Sequence, residues 1–350
     1  MNQPEGRFLA EIHEQPAALE SLLGHLDEIQ AAGQACAERA PSVLRLVGHG
    51  SSDAAATYGV YAFGLVAGWT ALRDSVSLTV YYGAEVDFSN SVVVALSQSG
   101  RTPDVVSYVE HARKRGAFTI GVTNDADSEL ARAAELTLLL HAGEERAVAA
   151  SKTLANTFAV LALLAGCAAG RGDEVAAAVH GVAEQMRNAL PALEDAVAPI
   201  ATRFAYVGRM YVIGRGIELG TAREIALKLT ETCRIPAESV TSTDLSHGPI
   251  AAVDAMFPVW TIASMDECLP ALVAAAELAR KAGATLVASG SAADKVPGAE
   301  LRLPVPEAPL PVLSPLLSVV PGQLFAAALS RAKGLDADQP VGLTKVTLAQ

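Results

Sequence analysis

The sequence predicts an α/β protein made of two tandem, doubly wound parallel-sheet units with helices on both faces of each sheet. Short apolar runs alternate with helical patterns along the chain, many of these runs end in glycine or serine, and the first half recurs in the second. Such alternation is typical of parallel sheets covered on both faces. At 350 residues, two domains are the default expectation.

The strand predictions rest on β-branched, apolar runs bounded by turn residues. These runs cover residues 43–47, 92–96, 119–122, 136–140, 211–213, 259–263 and 285–288. Alanine-rich segments between them have helical spacing. Residues 172–203 are interpreted as a helix and connector near the boundary, and the predicted domains are 1–190 and 191–350.

An internal repeat indicates two copies of one unit. VGHG at 47–50 returns as IGRG at 213–216, 166 residues later, and ARKRGA at 112–117 returns as ARKAGA at 279–284, 167 residues later. Two anchors at nearly the same offset indicate a tandem duplication. Ligands of doubly wound sheets bind beyond the carboxyl ends of strands, so the loops at those ends are the candidate site.

The overall composition excludes several classes of protein. There are 26 Lys and Arg against 38 Asp and Glu, a net charge of -12, which argues against a nucleic-acid partner. The first residues lack the apolar core of a secretory signal. Four scattered cysteines without a CxxC pair predict reduced thiols and a cytoplasmic protein. The seven histidines lack metal-ligand spacing, so no metal is expected.

Two apolar stretches require a test for membrane insertion. Residues 153–170 carry no charge and are interpreted as a small-residue helix buried against a sheet. Residues 304–321 contain six prolines, which are incompatible with a continuous spanning helix. No membrane partner is expected.

The loop after the run at 92–96 is the candidate phosphate site. It contains Ser97, Gln98 and Ser99, followed by Thr102, which fits a helix N-cap, and Pro103, which fits the first helical position. Hydroxyl groups beside a helix N-terminus form a cradle for phosphate. The alternative is an ordinary hydroxyl-capped turn.

A second strand-to-helix loop favours the phosphate interpretation. Ser51 and Ser52 follow Gly50 at the end of the first predicted strand. In the second copy, the place equivalent to Ser97, Gln98 and Ser99 instead contains Asp266 and Glu267, and two carboxylates would repel a phosphate. The sequence therefore predicts one sugar-phosphate site per chain, in the first half.

Common nucleotide motifs are absent from the sequence. GHG at 48–50 lacks the third glycine of a dinucleotide fingerprint, because Asp53 stands at that position. No GxxxxGK[ST] motif occurs. Neither a nicotinamide nor any other cofactor is therefore expected.

The second half carries candidate acid–base groups. Glu224, Lys228 and Glu231 are spaced i, i+4 and i+7 and share one face of a helix over 217–231. The alternative is a solvated stripe of salt bridges, which contributes little to stability. His247, in the turn SHGP at 246–249, is a candidate acid or base because of its residue type, or else a structural histidine.

Taken together, these stretches resemble the sugar-isomerase (SIS) domain family, in particular the tandem isomerase half of glutamine–fructose-6-phosphate aminotransferases. The resemblance spans nearly the whole chain. Its most specific pieces are SQSGRT at 97–102, GRG at 214–216, ALKLTE at 226–231, HGP at 247–249 and DQP at 338–340.

The resemblance implies a role for each matched residue. The groups implied to hold the sugar phosphate are Ser52, Ser97, Gln98, Ser99 and Thr102. Val148 and Ala149 would line the pocket through their backbone, and Lys345 would reach the open-chain sugar. Glu231 would shuttle a proton between C1 and C2, with Lys228 and Glu224 in the same catalytic set. His247 would assist ring opening from the neighbouring subunit, which implies a homodimer with a shared active site.

Departures from the aminotransferase pattern shape the expected reaction. We expect no glutaminase region before the isomerase region. Val341 stands where the synthases usually have arginine, and the tail GLTKVT at 342–347 is more similar to stand-alone SIS-type glucosamine-6-phosphate deaminases. The expected function is an aminosugar-phosphate deaminase and aldose–ketose isomerase that converts glucosamine 6-phosphate to fructose 6-phosphate and ammonia. The alternatives are a fructosamine-6-phosphate deglycase, another sugar-phosphate isomerase, and a non-catalytic sugar-phosphate sensor.

Overall fold

A computed structural model describes residues 6–255 and 257–345. It divides into two compact units, each assembled from separate parts of the chain. The first unit comprises Ala17–Glu145, Lys152–His180 and Thr344–Gln350, and the second comprises Met1–Pro16, Arg146–Ser151 and Gly181–Leu343. The tail pattern at 342–347 lies partly outside the described residues, because Val346 and Thr347 are beyond them.

Strands and helices alternate along the described chain. The strands are β1 (Val43–Val47), β2 (Ala71–Arg73), β3 (Ser91–Leu96), β4 (Phe118–Thr123), β5 (Leu136–Leu139), β6 (Met210–Gly214), β7 (Ala237–Thr241), β8 (Pro258–Ile262), β9 (Thr285–Gly290) and β10 (Leu301–Pro304). The helices are α1 (Arg7–His13), α2 (Gln15–Leu23), α3 (Leu26–Glu38), α4 (Ser51–Ala62), α5 (Val76–Val80), α6 (Pro103–Lys114), α7 (Glu129–Ala133), α8 (Lys152–Ala168), α9 (Gly172–Arg203), α10 (Glu218–Cys233), α11 (Leu269–Lys281), α12 (Ser314–Ser318) and α13 (Val320–Ala332).

Each unit contains one five-stranded parallel sheet, and the two sheets have the same strand order. The first sheet is ordered β2-β1-β3-β4-β5, and the second, read from its β7 edge, is β7-β6-β8-β9-β10. In chain order within each repeat, both sheets are therefore 2-1-3-4-5, the flavodoxin-like order. The predicted α/β class and the predicted duplication are confirmed.

The seven predicted strands are present, and the sequence missed β2, β7 and β10. The missed strands lie at sheet edges. An edge strand is covered on fewer sides, so it does not need the continuous apolar run that marks a central parallel strand. In contrast, every residue of the central strands β3, β4, β6 and β8 is buried.

Helices cover both faces of the first sheet. Val93 and Ala95 of β3 belong to a buried cluster with Val105 and Tyr108 of α6. On the opposite face, α4 and α8 enclose Leu46, and a Cβ added at Gly59 would lie 2.9 Å from its side chain. The predicted buried helix over 153–170 is confirmed as α8, whose residues from Lys152 to Gly166 are buried.

Helices likewise cover the second sheet. One face packs against α11 and the other against α10, α12 and α13, where the Trp260 and Phe325 rings meet edge to face at 5.1 Å. The helical run Pro311–Ala332 is apolar and long enough to cross a membrane, but 94% of its most apolar window is buried inside the protein. Such burial is typical of the core helix of a soluble α/β protein, and Pro315 and Pro321 lie in the first turns of its helices.

The predicted connector near residue 190 is not a loop. α9 continues from Gly172 to Arg203 with Pro191 and Pro199 inside it. Each proline removes one backbone hydrogen bond, but the buried apolar face of the helix is retained on both sides. The predicted domain boundary between residues 190 and 191 therefore falls within α9. The division of the chain into domains 1–190 and 191–350 stays a prediction.

Candidate active site

The hydroxyl-rich loop after β3 forms a compact cradle in the first unit. Ser97 is buried, and its Oγ lies 3.0 Å from Oγ1 of Thr102. Gly100 has a φ of +62°, and a Cβ there would lie 2.1 Å from Oγ of Ser128, so only glycine allows this close turn. The loop thus holds several neutral hydroxyl groups at the beginning of α6.

The predicted start of α6 is confirmed. Thr102 is the N-cap residue, with extended backbone, and Pro103 is the first helical residue. The Thr102 side chain makes no capping hydrogen bond to the helix and instead contacts Ser97. Pro103 has no N–H, and the Val105 N–H donates to Oδ1 of Asp104 at 3.0 Å, so an acidic residue of α6 itself already caps part of this first turn.

The loop after β1 approaches the same cradle. His49 lies 2.8 Å from Asp104 in the first turn of α6, which ties the two strand-end loops together. Ser51 and Ser52 follow at the start of α4, and both are half-buried. The loops after the adjacent parallel strands β1 and β3 therefore both place hydroxyl groups at the carboxyl-terminal end of the sheet.

Gln98 borders one cavity of the first unit. Its volume is about 520 Å³, and its lining residues include Gln98, Asn124, His141 and Glu145. The Lys345 Nζ donates to Oε2 of Glu145 at 2.6 Å. Lys345 is partly exposed, whereas the Glu145 carboxylate is fully buried. Glu145, which lines the same cavity as Gln98, is thus paired with the Lys345 ammonium.

Glu145 and Asn124 are candidates that sequence reasoning missed. Oε2 of Glu145 also accepts from the Thr153 hydroxyl at 2.7 Å. Asn124 directly follows β4 and donates to the Gly143 carbonyl at 2.7 Å. The position of Asn124 at a strand end was a usable signal, but nothing in the sequence pairs Glu145 with Lys345, 200 residues later.

Three metal-ligating side chains meet in the first unit, although their sequence spacing gives no sign of it, and one of them, His141, lines this cavity. Ligand atoms of His25, Glu28 and His141 all lie within 4.8 Å of one another. The two imidazole rings are stacked 3.5 Å apart with planes 1° from parallel. A metal lies near the plane of each imidazole that binds it, so this stacked pair does not present both rings to one ion. The expectation of no metal stays a prediction.

The predicted charge cluster on α10 is an internal ion-pair network. Nζ of Lys228 lies 3.4 Å from Oε1 of Glu224, and it also donates to Oε2 of Glu231. The Glu224 and Lys228 side chains are 0% and 1% exposed, whereas that of Glu231 is 21% exposed. The alternative of a solvated stripe is therefore wrong for Glu224 and Lys228.

Burial and charge oppose each other at Lys228. Desolvation lowers the pKa of this ammonium, but the carboxylates of Glu224 and Glu231 outweigh that effect and raise the pKa above its ordinary value. Lys228 therefore stays charged and compensates both carboxylates. The network leaves Glu231 as its one partly exposed end.

Glu231 opens into a cavity of the second unit. The cavity has a volume of about 380 Å³ and is lined by the end of α10 and by residues that follow α13, including Asp336, Gln339 and Val341. Asp338 fixes this tail segment, because its carboxylate accepts from the backbone of Arg7 and Phe8 at 2.9 and 2.8 Å. The DQP motif thus has a structural function next to the Glu231 cavity.

His247 lies on the surface of the second unit. It ends a short 3-10 turn, Asp244–His247, and is exposed. The following Gly248 has a φ of +138°, which other residues rarely adopt. Among the described residues, no hydrogen bond of the His247 ring is found.

Val148 and Ala149 lie in the segment Arg146–Ser151 of the second unit. The Val148 amide donates to the Asp338 carbonyl at 3.1 Å. Its N–H is therefore already used within the protein. Ala149 is fully buried.

Comparison with known proteins identifies the class to which this fold and these strand-end loops belong. The family model described as SIS domain matches twice, at residues 42–166 and 204–330. The chain belongs to the SIS domain family, in a tandem arrangement.

Particular relatives agree with this assignment. The chain is 35% identical to a glutamine–fructose-6-phosphate aminotransferase of Aeropyrum pernix over 98% of its own length, but it spans only 57% of that protein. The C-terminal domain of a glucosamine-fructose-6-phosphate aminotransferase from Francisella tularensis shares the fold, with a TM-score of 0.85, 24% identity, and coverage of 97% of this chain and 99% of that one.

A deaminase has the same fold. The structure of a glucosamine-6-phosphate deaminase from Thermotoga maritima matches with a TM-score of 0.73 and 22% identity, covering 95% of this chain and 99% of that one. At this identity the likeness concerns the fold alone.

Proposed function

We propose that this chain is a cytoplasmic aminosugar-phosphate deaminase and aldose–ketose isomerase that converts glucosamine 6-phosphate to fructose 6-phosphate and ammonia. The observation that carries the proposal is the asymmetry of the α10 network. Glu224 and Lys228 are sealed from solvent, and Glu231 alone extends partly exposed into a cavity. A carboxylate held in this way is suited to moving one proton repeatedly.

The phosphate is assigned to the first unit. Ser51, Ser52, Ser97, Ser99 and Thr102 supply neutral hydroxyl groups at the starts of α4 and α6, where helix N-termini favour anions. The side chain of Gln98 lines the adjacent cavity. The relatives named for phosphorylated sugars support a sugar-phosphate ligand for these groups.

Glu231 is assigned the isomerisation. After His247 assists ring opening, Glu231 removes the proton from C2 of the open-chain aldose, and O1 takes a proton from water, so that the C1 carbonyl becomes the hydroxyl of an enaminol. Glu231 then returns its proton to C1 while the C2 amino group gives up one N–H proton to water, which leaves an imine at C2. One carboxylate completes both transfers because it is regenerated by the second. Lys228 keeps the charge of Glu231 balanced throughout.

Lys345 is assigned the release of ammonia. Its neutral amine adds to the C2 imine, ammonia leaves, and water hydrolyses the resulting Schiff base to the ketone and free Lys345. The carboxylate of Glu145, 2.6 Å from Nζ, is placed to take the proton that the ammonium must lose before it attacks. No metal or organic cofactor takes part in this scheme.

His247 is assigned to the active site of a second copy. The imidazole is exposed on a surface turn of the second unit. In a homodimer with a shared active site, as the resemblance implies, this exposed histidine would contact the substrate bound to the neighbouring copy.

The test is a coupled assay of ammonia release with glucosamine, galactosamine and fructosamine 6-phosphates. Fructose 6-phosphate and ammonia in equal amounts from glucosamine 6-phosphate support the proposal. Glucose 6-phosphate from fructosamine 6-phosphate, with no turnover of glucosamine 6-phosphate, identifies a deglycase instead. Turnover of none of them, together with tight binding, identifies a sensor.

The sequence identity to aminotransferases favours one further candidate, the reverse reaction. The same imine at C2 leads from fructose 6-phosphate and an amine donor to glucosamine 6-phosphate. Because a catalyst accelerates both directions of a reaction, the amine donor distinguishes the two: aminosugar formed from fructose 6-phosphate only with free ammonium is the reversed deamination, whereas aminosugar formed from an organic amine donor without free ammonium indicates an aminotransferase.

A further inference from the structure

The beginning of α10 corresponds to the beginning of α4 in the other repeat. A Cβ added at Gly48 would lie 3.0 Å from the backbone of Ser52, and one added at Gly214 would lie 2.4 Å from the backbone of Glu218. Each glycine therefore allows a strand end to pack directly against the first turn of its helix. Because Gly48 packs against Ser52 and Gly214 packs against Glu218, Glu218 occupies the position in the second repeat that Ser52 occupies in the first.

A second marker gives the same equivalence. Gly50 and Gly216 both have left-handed backbone, with φ of +58° and +61°. Each lies two residues before the position in question. The carboxylate of Glu218 thus replaces a hydroxyl that the proposed function assigns to phosphate binding.

The Glu218 carboxylate is completely buried among hydroxyl groups. Its Oε1 accepts from Ser264 at 2.5 Å, from Ser314 at 2.7 Å and from Ser318 at 3.0 Å. Its Oε2 accepts from Thr221 at 2.6 Å. Four neutral hydroxyl donors around an anion are the kind of shell that the first repeat offers to a phosphate.

One of the four donors comes from the equivalent place in the fold. Ser264 lies in the loop after β8, which corresponds to the loop of Ser97 after β3. Ser314 and Ser318 come from α12, which closes the shell from the remaining side. The second repeat therefore has an anion site, and its occupant is part of the chain.

We propose that Glu218 is the built-in ligand of a second anion site, and that its carboxylate takes the place that the sugar phosphate takes in the first repeat. This inference rests on the proposed phosphate role of the first repeat. It explains chemically why one chain would bind a single sugar phosphate. It also means that the start of α10, the helix of Glu224 and Glu231, is fixed without any ligand.

The surrounding charge is consistent with a site that is already filled. Burial raises the pKa of the nearby Asp266, and the negative charges of Glu218 and Glu267 raise it further. The free energy of placing another anion here is therefore unfavourable while Glu218 is present.

Removal of the built-in ligand should open the site. In the full chain carrying Ser97→Ala and Ser99→Ala, which weaken the first cradle, Glu218→Gly removes the carboxylate and leaves the hydroxyl groups without an acceptor. We expect the Tm to fall by roughly 5 °C or more. Millimolar propionate or inorganic phosphate should then raise the Tm saturably, because each binds the folded state only.

The matched control is Glu218→Gln in the same background. The amide fills the same volume, so neither propionate nor phosphate should raise its Tm beyond the effect of chloride at equal ionic strength. The parent without a change at Glu218 should be equally unresponsive. A Glu218→Gly variant that responds no more than Glu218→Gln, or that keeps the parent Tm without added anion, would overturn the proposal.

Folding failure also gives a decisive result. If Glu218→Gly does not fold in chloride, it is refolded from denaturant with propionate or phosphate, and recovery of native circular dichroism supports the proposal. No recovery, with Glu218→Gln folding normally, overturns it. This readout is separate from activity: an anion-responsive Glu218→Gly variant together with an unchanged KM of Ser97→Ala/Ser99→Ala would contradict the proposed function and leave the Glu218 site standing.

Discussion

The ammonium of Lys228 lies 3.4 Å from the Glu224 carboxylate, and both side chains are closed to solvent. Two charges so deeply buried are costly unless they compensate each other. Of the two carboxylates that pair with Lys228, only Glu231 is partly exposed, so Glu231 is the one that a substrate can contact. Four predictions follow from this network, the hydroxyl loop and the exposed histidine.

Removal of the shared ammonium should destabilise the fold. We expect Lys228→Met to lower the free energy of unfolding by about 3–5 kcal/mol, because Glu224 is left as an uncompensated buried charge. Urea denaturation measures this change. The double variant Lys228→Met/Glu224→Gln should recover much of it. Arg280→Met, which breaks the exposed pair with Glu277, should cost about 1 kcal/mol or less. Equal losses for Lys228→Met and Arg280→Met would show that the network is not sealed.

Neutralisation of Glu231 should stop proton transfer. In Glu231→Gln we expect kcat to fall by roughly 10²–10⁴-fold, with a much smaller change in KM. In heavy water the wild type should also incorporate solvent deuterium at C1 of the ketose. The matched control is Glu277→Gln on an exposed helix face. A Glu231→Gln enzyme with near-normal kcat on its best substrate would mean that another residue moves the proton.

Loss of the loop hydroxyls should weaken substrate binding. Hydrogen bonds to a charged group contribute roughly 1.5–3 kcal/mol each. Ser97→Ala with Ser99→Ala should therefore raise KM by at least about tenfold, with kcat less affected. Ser77→Ala, an exposed serine outside the loop, is the control. A ligand-bound structure with phosphate at residues 265–267 and an empty Ser97 loop would rule this assignment out.

Inactive chains should complement each other in a mixed dimer. If His247 serves the active site of a neighbouring copy, Glu231→Gln chains mixed with His247→Ala chains should regain partial activity, because some sites receive both intact residues. Sedimentation of the wild type should give a dimer. A fully active monomer, or the absence of rescue after demonstrated subunit exchange, would exclude the shared site.

Much of the architecture follows from the sequence because central parallel strands are buried on both faces. Apolar runs in the sequence predicted β1, β3, β4, β6, β8 and β9. The recurring glycine motifs predicted the duplication. The edge strands β7 and β10 carry polar residues because they are partly exposed to solvent. Their hydrophobic pattern is therefore too weak to predict a strand. The continuity of α9 through Pro191 likewise depends on packing rather than on local propensity.

The sequence by itself determined the family, the hydroxyl loop and the helical spacing of Glu224, Lys228 and Glu231, because these are local patterns with a fixed period. Only the tertiary structure decided which of these charges are buried, because burial depends on neighbours far along the chain. The same holds for Lys345 with Glu145 and for Glu218 with Ser314, pairs separated by 200 and 96 residues. Local spacing carries no information about such contacts, which arise only when the sheets and helices pack.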